Sequence, residues 1–322
     1  MIEWILGIIG LLLLLFVLLA PLESLRWWVD HGEREIRTTF TEIPPSEVEA
    51  APASHHVVYL SGVGTIGGEL SRREAAWLDE IRARLPGARI VDDVFPYATD
   101  NRGLLQRTTE WAWGRLDRMR RTSNFPRLLP LLIEIRNIAQ VLVSADPRYG
   151  PTFNVGLAQE IWRSLQKHGY RPRSGDPVIL IGFSGGAQTA LGAGWVLAGL
   201  GVPVTLISVG GIFGSDPGLD RVQHIYHLTG RRDRLHWIGN IAFPGRWPIA
   251  PFSPWGRAKR EGRVTNLRIG DMAHAGADGY MGRRAHGRDG RSHFETSVSA
   301  VTNLAKALPS GRVIPKNPDQ AH

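Results

Sequence analysis

Ser184 stands in Gly182-Phe183-Ser184-Gly185-Gly186, after the aliphatic run Val178-Ile179-Leu180-Ile181 and before the small-residue run Ala187 to Leu200. A short buried strand turning sharply into a helix would hold this serine in a strained backbone conformation and lift its Oγ above the edge of a sheet. Gly182 and Gly186 fit such a turn, because a side chain two residues to either side of the serine would collide across it. Gly185 would supply the N–H just after the nucleophile, at a helix N-terminus, where a developing oxyanion is stabilised. A serine hydroxyl is a poor nucleophile at neutral pH. A histidine must take its proton, and an acid must orient that histidine.

On this strand, Gly-x-Ser-x-Gly and helix pattern, the chain resembles the α/β-hydrolase superfamily over most of residues 55–310, with Gly182 to Gly186 as its nucleophile elbow. The resemblance implies an acid after the serine and a histidine last in the chain. Asp233 is then the acid, in Thr229-Gly230-Arg231-Arg232-Asp233 just after a strand, with Asp216 and Asp220 as fallbacks. His274 is the expected base, in Asp271-Met272-Ala273-His274 directly after another strand. His293 is the alternative base, although its place ahead of a helix over Phe294 to Leu308 makes a capping or surface role the simpler reading. His286 lies in an arginine-rich polar loop and is the weakest choice. The resemblance also implies a second oxyanion donor from Ser61-Gly62-Val63-Gly64-Thr65, with Val63 N–H preferred and Gly64 second. An ordinary strand–helix turn is the alternative there. A dinucleotide-type phosphate loop is set aside, because the third glycine is missing. No metal and no cofactor are implied.

Several elements must position these groups. His56 to Leu60, Arg89 to near Pro96, Val178 to Ile181, Val204 to Val209, Val222 to Leu228 and Val264 to Ile269 read as strands. Ser71 through Leu85 reads as an amphipathic helix with Ser71 as cap and Glu74 at the box position. Strand, glycine loop, helix and strand in that order predict right-handed crossovers in a mainly parallel sheet with flanking helices. Residues 97–150 interrupt the rhythm with two helix-like stretches, Leu104 to Met119 and Leu128 to Val143. They are either a helical cap over the site or a longer crossover layer. Val155 to Lys167 returns to an amphipathic helix.

The 322 residues are enough for one large α/β domain with an appendage. There is no cysteine, which excludes a disulfide framework and any thiolate ligand or nucleophile. The net charge of +8 suits attraction to anionic headgroups, or simply solvated arginine-rich faces; no nucleic-acid motif accompanies it. Trp4 through Ala20 is uncharged and apolar, extended by Pro21 and Leu22, and just long enough to cross a bilayer. Only Glu3 precedes it and Leu18-Leu19-Ala20 is a poor cleavage site, so an uncleaved anchor is expected rather than a signal peptide. Arg26, Arg34 and Arg37 follow it, which predicts a single-pass protein of the cell membrane with its domain on the cytoplasmic side. The expected division is a transmembrane helix over 1–22, a juxtamembrane helix and linker over 23–54, the hydrolase domain over 55–310 and a flexible tail over 311–322.

These readings imply a membrane-anchored serine hydrolase that cleaves a carboxylic ester through an acyl-enzyme, with a small-molecule or lipid ester as substrate. Thioesterase, peptidase and a catalytically inactive binding or scaffold protein on the same fold stay open. Between Asp233 and the last strand, Trp237, Phe243, Trp247, Phe252 and Trp255 could wall an apolar acyl pocket, rest on a bilayer, or pack a long loop onto the domain.

Overall fold

A computed structural model describes residues 53–63, 69–97, 128–146 and 150–308. Among the described residues six strands form one parallel sheet in the order β2-β1-β3-β4-β5-β6. They are β1 (His55–Leu60), β2 (Ala88–Val91), β3 (Val178–Phe183), β4 (Val204–Val209), β5 (His224–Thr229) and β6 (Val264–Arg268). The helices are α1 (Arg72–Arg84), α2 (Leu128–Ala145), α3 (Gly150–Lys167), α4 (Gly186–Gly199), α5 (Trp237–Ala242), α6 (Pro254–Arg260) and α7 (His293–Ala307). This is an α/β architecture with helices on both faces of the sheet. Parallel strands covered on both sides read as continuous aliphatic runs, which is why Val178 to Ile181 and Val204 to Val209 lack polar alternation.

The period of two sorts the strand side chains into two cores. On one face Leu180, Leu206 and Ile225 pack with Leu157, Ile161 and Leu165 of α3 and with Ala187, Ala190 and Leu191 of α4. On the other face Ile179, Ile181, Ile207 and Leu228 pack with Trp77, Leu78 and Ile81 of α1 and with Val298, Val301 and Leu304 of α7. Ser71 and Glu74 form the expected capping box on α1, and Glu74 also accepts the Tyr59 hydroxyl of β1 at 2.8 Å. Trp77 Nε1 donates to Ser297 Oγ at 2.9 Å, and Ser297 Oγ donates to the Tyr280 carbonyl at 2.6 Å. The α1–α7 pair thereby anchors the loop that carries His274 and Tyr280.

Strand and helix ends differ from expectation by a few residues. β1 starts at the buried His55, one residue before the expected His56, and β2 ends at Val91 rather than near Pro96. β5 starts at His224 rather than Val222. α3 starts at Gly150 rather than Val155, with Pro151 in the first turn, where its missing N–H breaks no helical bond. α2 realises the second helix of the 97–150 insertion; its first expected helix, Leu104 to Met119, lies outside the described residues. The apolar run 4–20, all of 23–54 but its last two residues, and the tail lie outside them as well. Among the described residues no helix is long and apolar enough to cross a membrane.

Candidate active site

β3 delivers Ser184 to the C-terminal edge of the sheet, and α4 begins two residues later. Ser184 has φ of 53°, in the left-handed region that disfavours side chains. Its N–H donates to the Val209 carbonyl at 3.1 Å, while its carbonyl accepts from Ile212 N at 3.0 Å and Ala187 N at 3.1 Å. These bonds hold the turn against its strain. The flanking glycines are needed for space. A Cβ on Gly182 would lie 2.4 Å from Ala187 Cα, and one on Gly186 would lie 2.3 Å from the Leu60 carbonyl oxygen.

His274 follows β6 on a loop stitched to the loop after β5. Arg231 N donates to the Gly270 carbonyl at 2.7 Å, and Arg232 N donates to the Met272 carbonyl at 3.2 Å. This zipper brings Asp233 and His274 together although 41 residues separate them. His274 Nδ1 lies 3.0 and 3.1 Å from the two carboxylate oxygens of Asp233, and His274 Nε2 lies 2.8 Å from Ser184 Oγ. With Nδ1–H donating to the carboxylate, Nε2 is left as the acceptor for the serine proton. Phe183, the residue before the serine, stacks on the imidazole with ring centres 5.6 Å apart and planes 20° apart.

The Asp233 side chain is fully buried, and that of His274 is 11 % exposed. Asp233 also accepts from Leu235 N at 2.9 Å, His236 N at 3.4 Å and the Tyr280 hydroxyl at 2.7 Å. Burial alone would raise its pKa, but the hydrogen bond and charge of His274, then the Tyr280 hydroxyl, hold it below the ordinary carboxylate value. Tyr280 is itself pinned, since its oxygen accepts from Gly230 N at 2.7 Å. Burial, then the Asp233 charge, pushes this phenol far above its usual pKa, so it stays a donor.

The other residues singled out from the sequence lie elsewhere or do other work. Asp216 accepts from Gln188 Nε2 at 2.8 Å and from Gly218 N at 2.7 Å, and Asp220 pairs with Arg257. His293 opens α7, but it neither caps the helix nor lies at the surface. Ser292 is the cap, and His293 is buried with its Nδ1 2.9 Å from the Asp278 carbonyl oxygen. His286 forms an isolated antiparallel bridge with Ser292. Trp255 is buried against Phe213, whereas Trp237, Trp247 and Phe252 are exposed. None of these aromatics lines the cavity of about 200 Å³ beside His274. That space is walled by Gly62, Phe183, Gly279, Tyr280 and Met281.

On the other side of the serine, Val63 and Gly185 stand together; Gly64 lies outside the described residues. Neither the Val63 nor the Gly185 N–H donates to another backbone group among the described residues. Helix α2 clamps this side. Asn137 Nδ2 donates to the Val63 carbonyl at 2.6 Å, and Arg136 Nη1 donates to the Tyr97 carbonyl at 3.2 Å. Val141 of the same helix occupies the space above Gly185. Sequence reasoning missed Tyr280, Arg136, Asn137 and Tyr97. Only the insertion of 97–150 itself hinted that this stretch serves the site.

No protein-family profile and no curated protein matches the chain. Three solved structures are similar to it. A dienelactone hydrolase-like promiscuous phosphotriesterase, P91, from metagenomic libraries has a TM-score of 0.45 and 12 % identity, over 80 % of this chain and 88 % of that one. A protein named m3DLH has a TM-score of 0.42 and 16 % identity, over 80 % and 88 %. The dienelactone hydrolase of Anabaena variabilis ATCC 29413 has a TM-score of 0.36 and 15 % identity, over 79 % and 84 %. At these values no residue role is transferred from them.

Proposed function

We propose that the chain is a serine hydrolase of the α/β-hydrolase type that cleaves a carboxylic ester through an acyl-enzyme. One observation carries this reading: a strained, elbow-borne Ser184 hydroxyl 2.8 Å from His274 Nε2, with the other imidazole nitrogen on the buried Asp233 carboxylate. Ser184 Oγ attacks the carbonyl carbon as its proton passes to His274 Nε2, and Asp233 stabilises the imidazolium. The carbonyl π pair moves onto oxygen, which the Gly185 and Val63 N–H groups receive. Collapse expels the alcohol, which takes the proton from His274. Water, deprotonated by the same imidazole, then cleaves the acyl-serine and restores the enzyme. Residues 55–310 form the catalytic unit in this reading. The apolar run 4–20 anchors it in the cell membrane with the domain on the cytoplasmic side, within reach of lipid esters.

The test is labelling by a fluorophosphonate together with hydrolysis of short-chain p-nitrophenyl esters. Wild type should do both. Ser184→Ala should abolish labelling and lower turnover on the order of 10⁶-fold. Wild-type turnover in Ser184→Ala would remove the assignment. Resistance of the full chain to carbonate extraction tests the anchor separately.

A further inference from the structure

Building on the hydrolase reading, we infer that the Tyr97 hydroxyl is a third donor to the oxyanion, beside the Gly185 and Val63 N–H groups. Tyr97 follows β2 and is 3 % exposed, and its hydroxyl forms no hydrogen bond with the described residues. A buried hydroxyl without a partner lowers stability and calls for an explanation. Its position supplies one. A Cβ built on Gly185 would lie 3.3 Å from the Tyr97 hydroxyl and 2.9 Å from Val63 Cγ1. The hydroxyl and the Val63 side chain therefore both face Gly185, the residue directly after Ser184 whose N–H is the expected oxyanion donor. Glycine at 185 lets Val63, Val141 and the Tyr97 hydroxyl approach this closely.

The surrounding contacts hold this convergence in place. Arg136 Nη1 fixes the Tyr97 carbonyl and Asn137 Nδ2 fixes the Val63 carbonyl, both from α2. Burial pushes the phenol well above its ordinary pKa, so it stays protonated wherever the enzyme works. The Thr189 hydroxyl stands nearby and pulls weakly the other way, but it gives its own proton to the Gly186 carbonyl. When Ser184 adds to the ester, negative charge appears on the former carbonyl oxygen. An O–H whose nearest polar neighbour is the Thr189 hydroxyl can turn to meet it. The interaction arises with the charge, so it lowers the barrier and contributes little to binding the substrate.

The test is Tyr97→Phe in the full chain, assayed with a p-nitrophenyl ester. kcat should fall on the order of 10²-fold, as when one oxyanion donor is removed, with KM changed less than about threefold. The melting temperature should hold or rise, since Phe removes a hydroxyl that has no partner. An aryl boronic acid, which forms a tetrahedral adduct on Ser184, should bind more weakly by a similar factor in the correctly folded fraction. That readout remains valid if the variant folds poorly. An unchanged kcat or unchanged boronate affinity overturns the inference, and so does a lowered melting temperature with kcat preserved, which marks a structural hydroxyl. A wild-type chain without Ser184-dependent turnover would overturn the hydrolase reading itself; turnover that is insensitive to Tyr97→Phe overturns only this step.

Discussion

Among the serine–histidine pairs of the described residues, one at the edge of the sheet and one inside it make a contrast, and on the hydrolase reading only the first is built to react. Ser184 and His274 meet at the edge of the sheet, whereas Ser208 of β4 and His227 of β5 meet inside it, with Oγ 3.0 Å from Nδ1. His227 rests edge-on against Phe213, with ring centres 5.2 Å apart, and no carboxylate hydrogen-bonds its ring among the described residues. Burial, then the charges of Arg246 and His236, lowers its pKa to about 3, with Asp233 pulling weakly the other way. Such an imidazole cannot take a proton from its serine, because the cation has no counter-charge in contact and no water. The inner serine is fully buried besides, so no substrate carbon can reach it. The same two functional groups at nearly the same separation thus differ in an acid partner, a strained backbone and an opening to solvent. Proximity alone does not make a nucleophile.

The widest gap between the pairs is expected from their histidines. His274→Ala should lower kcat on the order of 10³-fold or more, since the serine loses its general base. His227→Gln and His293→Ala should each stay within about tenfold of wild type in steady-state assays below their melting temperatures. A dead His293→Ala with an active His274→Ala would assign the base to His293 instead.

A smaller effect sharpens what the acid contributes. Tyr280→Phe removes one donor from Asp233 and strands the buried Gly230 N–H. Turnover should fall on the order of tenfold, with a loss of about 1–3 kcal/mol in stability by chemical denaturation. Unaltered turnover would mean that the backbone donors and His274 alone suffice to hold the carboxylate.

An effect away from turnover is expected on stability against pH. His227 titrates near 6.5 when unfolded and near 3 when folded, so between those values the unfolded chain binds more protons and stability falls as pH falls. His55, His56, His224 and His236 are lowered in the same direction, each mainly by burial. Asp216 opposes them. Burial raises it to about 6, so the folded state binds the extra proton between roughly pH 4 and 6 and gains as pH falls through that window. His227→Gln should therefore flatten the pH dependence of unfolding below pH 6.5 by up to about 1.4 kcal/mol per pH unit, the slope of one proton. An identical slope in the variant would mean that His227 is charged in the folded state.

How far the sequence could be read follows from the range of the forces involved. The strand of β3, the turn at Ser184 and the capping box at Ser71 depend on neighbours a few residues away, and their signatures lie in consecutive letters. The pairing of Asp233 with His274 was anticipated only through resemblance, because nothing local to either residue specifies the other. Tyr280, Tyr97, Arg136 and Asn137 were invisible for the same reason: the contacts that give them meaning span 39 to 74 residues. Arg136, an arginine in an apolar helix, is buried with its Nη1 on a carbonyl of the site, a placement that no neighbouring residue specifies.

The φ of 53° at Ser184 has a consequence for inheritance. An L-residue in that region is disfavoured by on the order of 1–2 kcal/mol, and glycine is not. The chain that relaxes best at this turn therefore carries glycine, with no hydroxyl at all. Drift toward greater stability leads away from the hydroxyl at this position. Folding alone would not keep a serine at 184; on the hydrolase reading, its chemistry does.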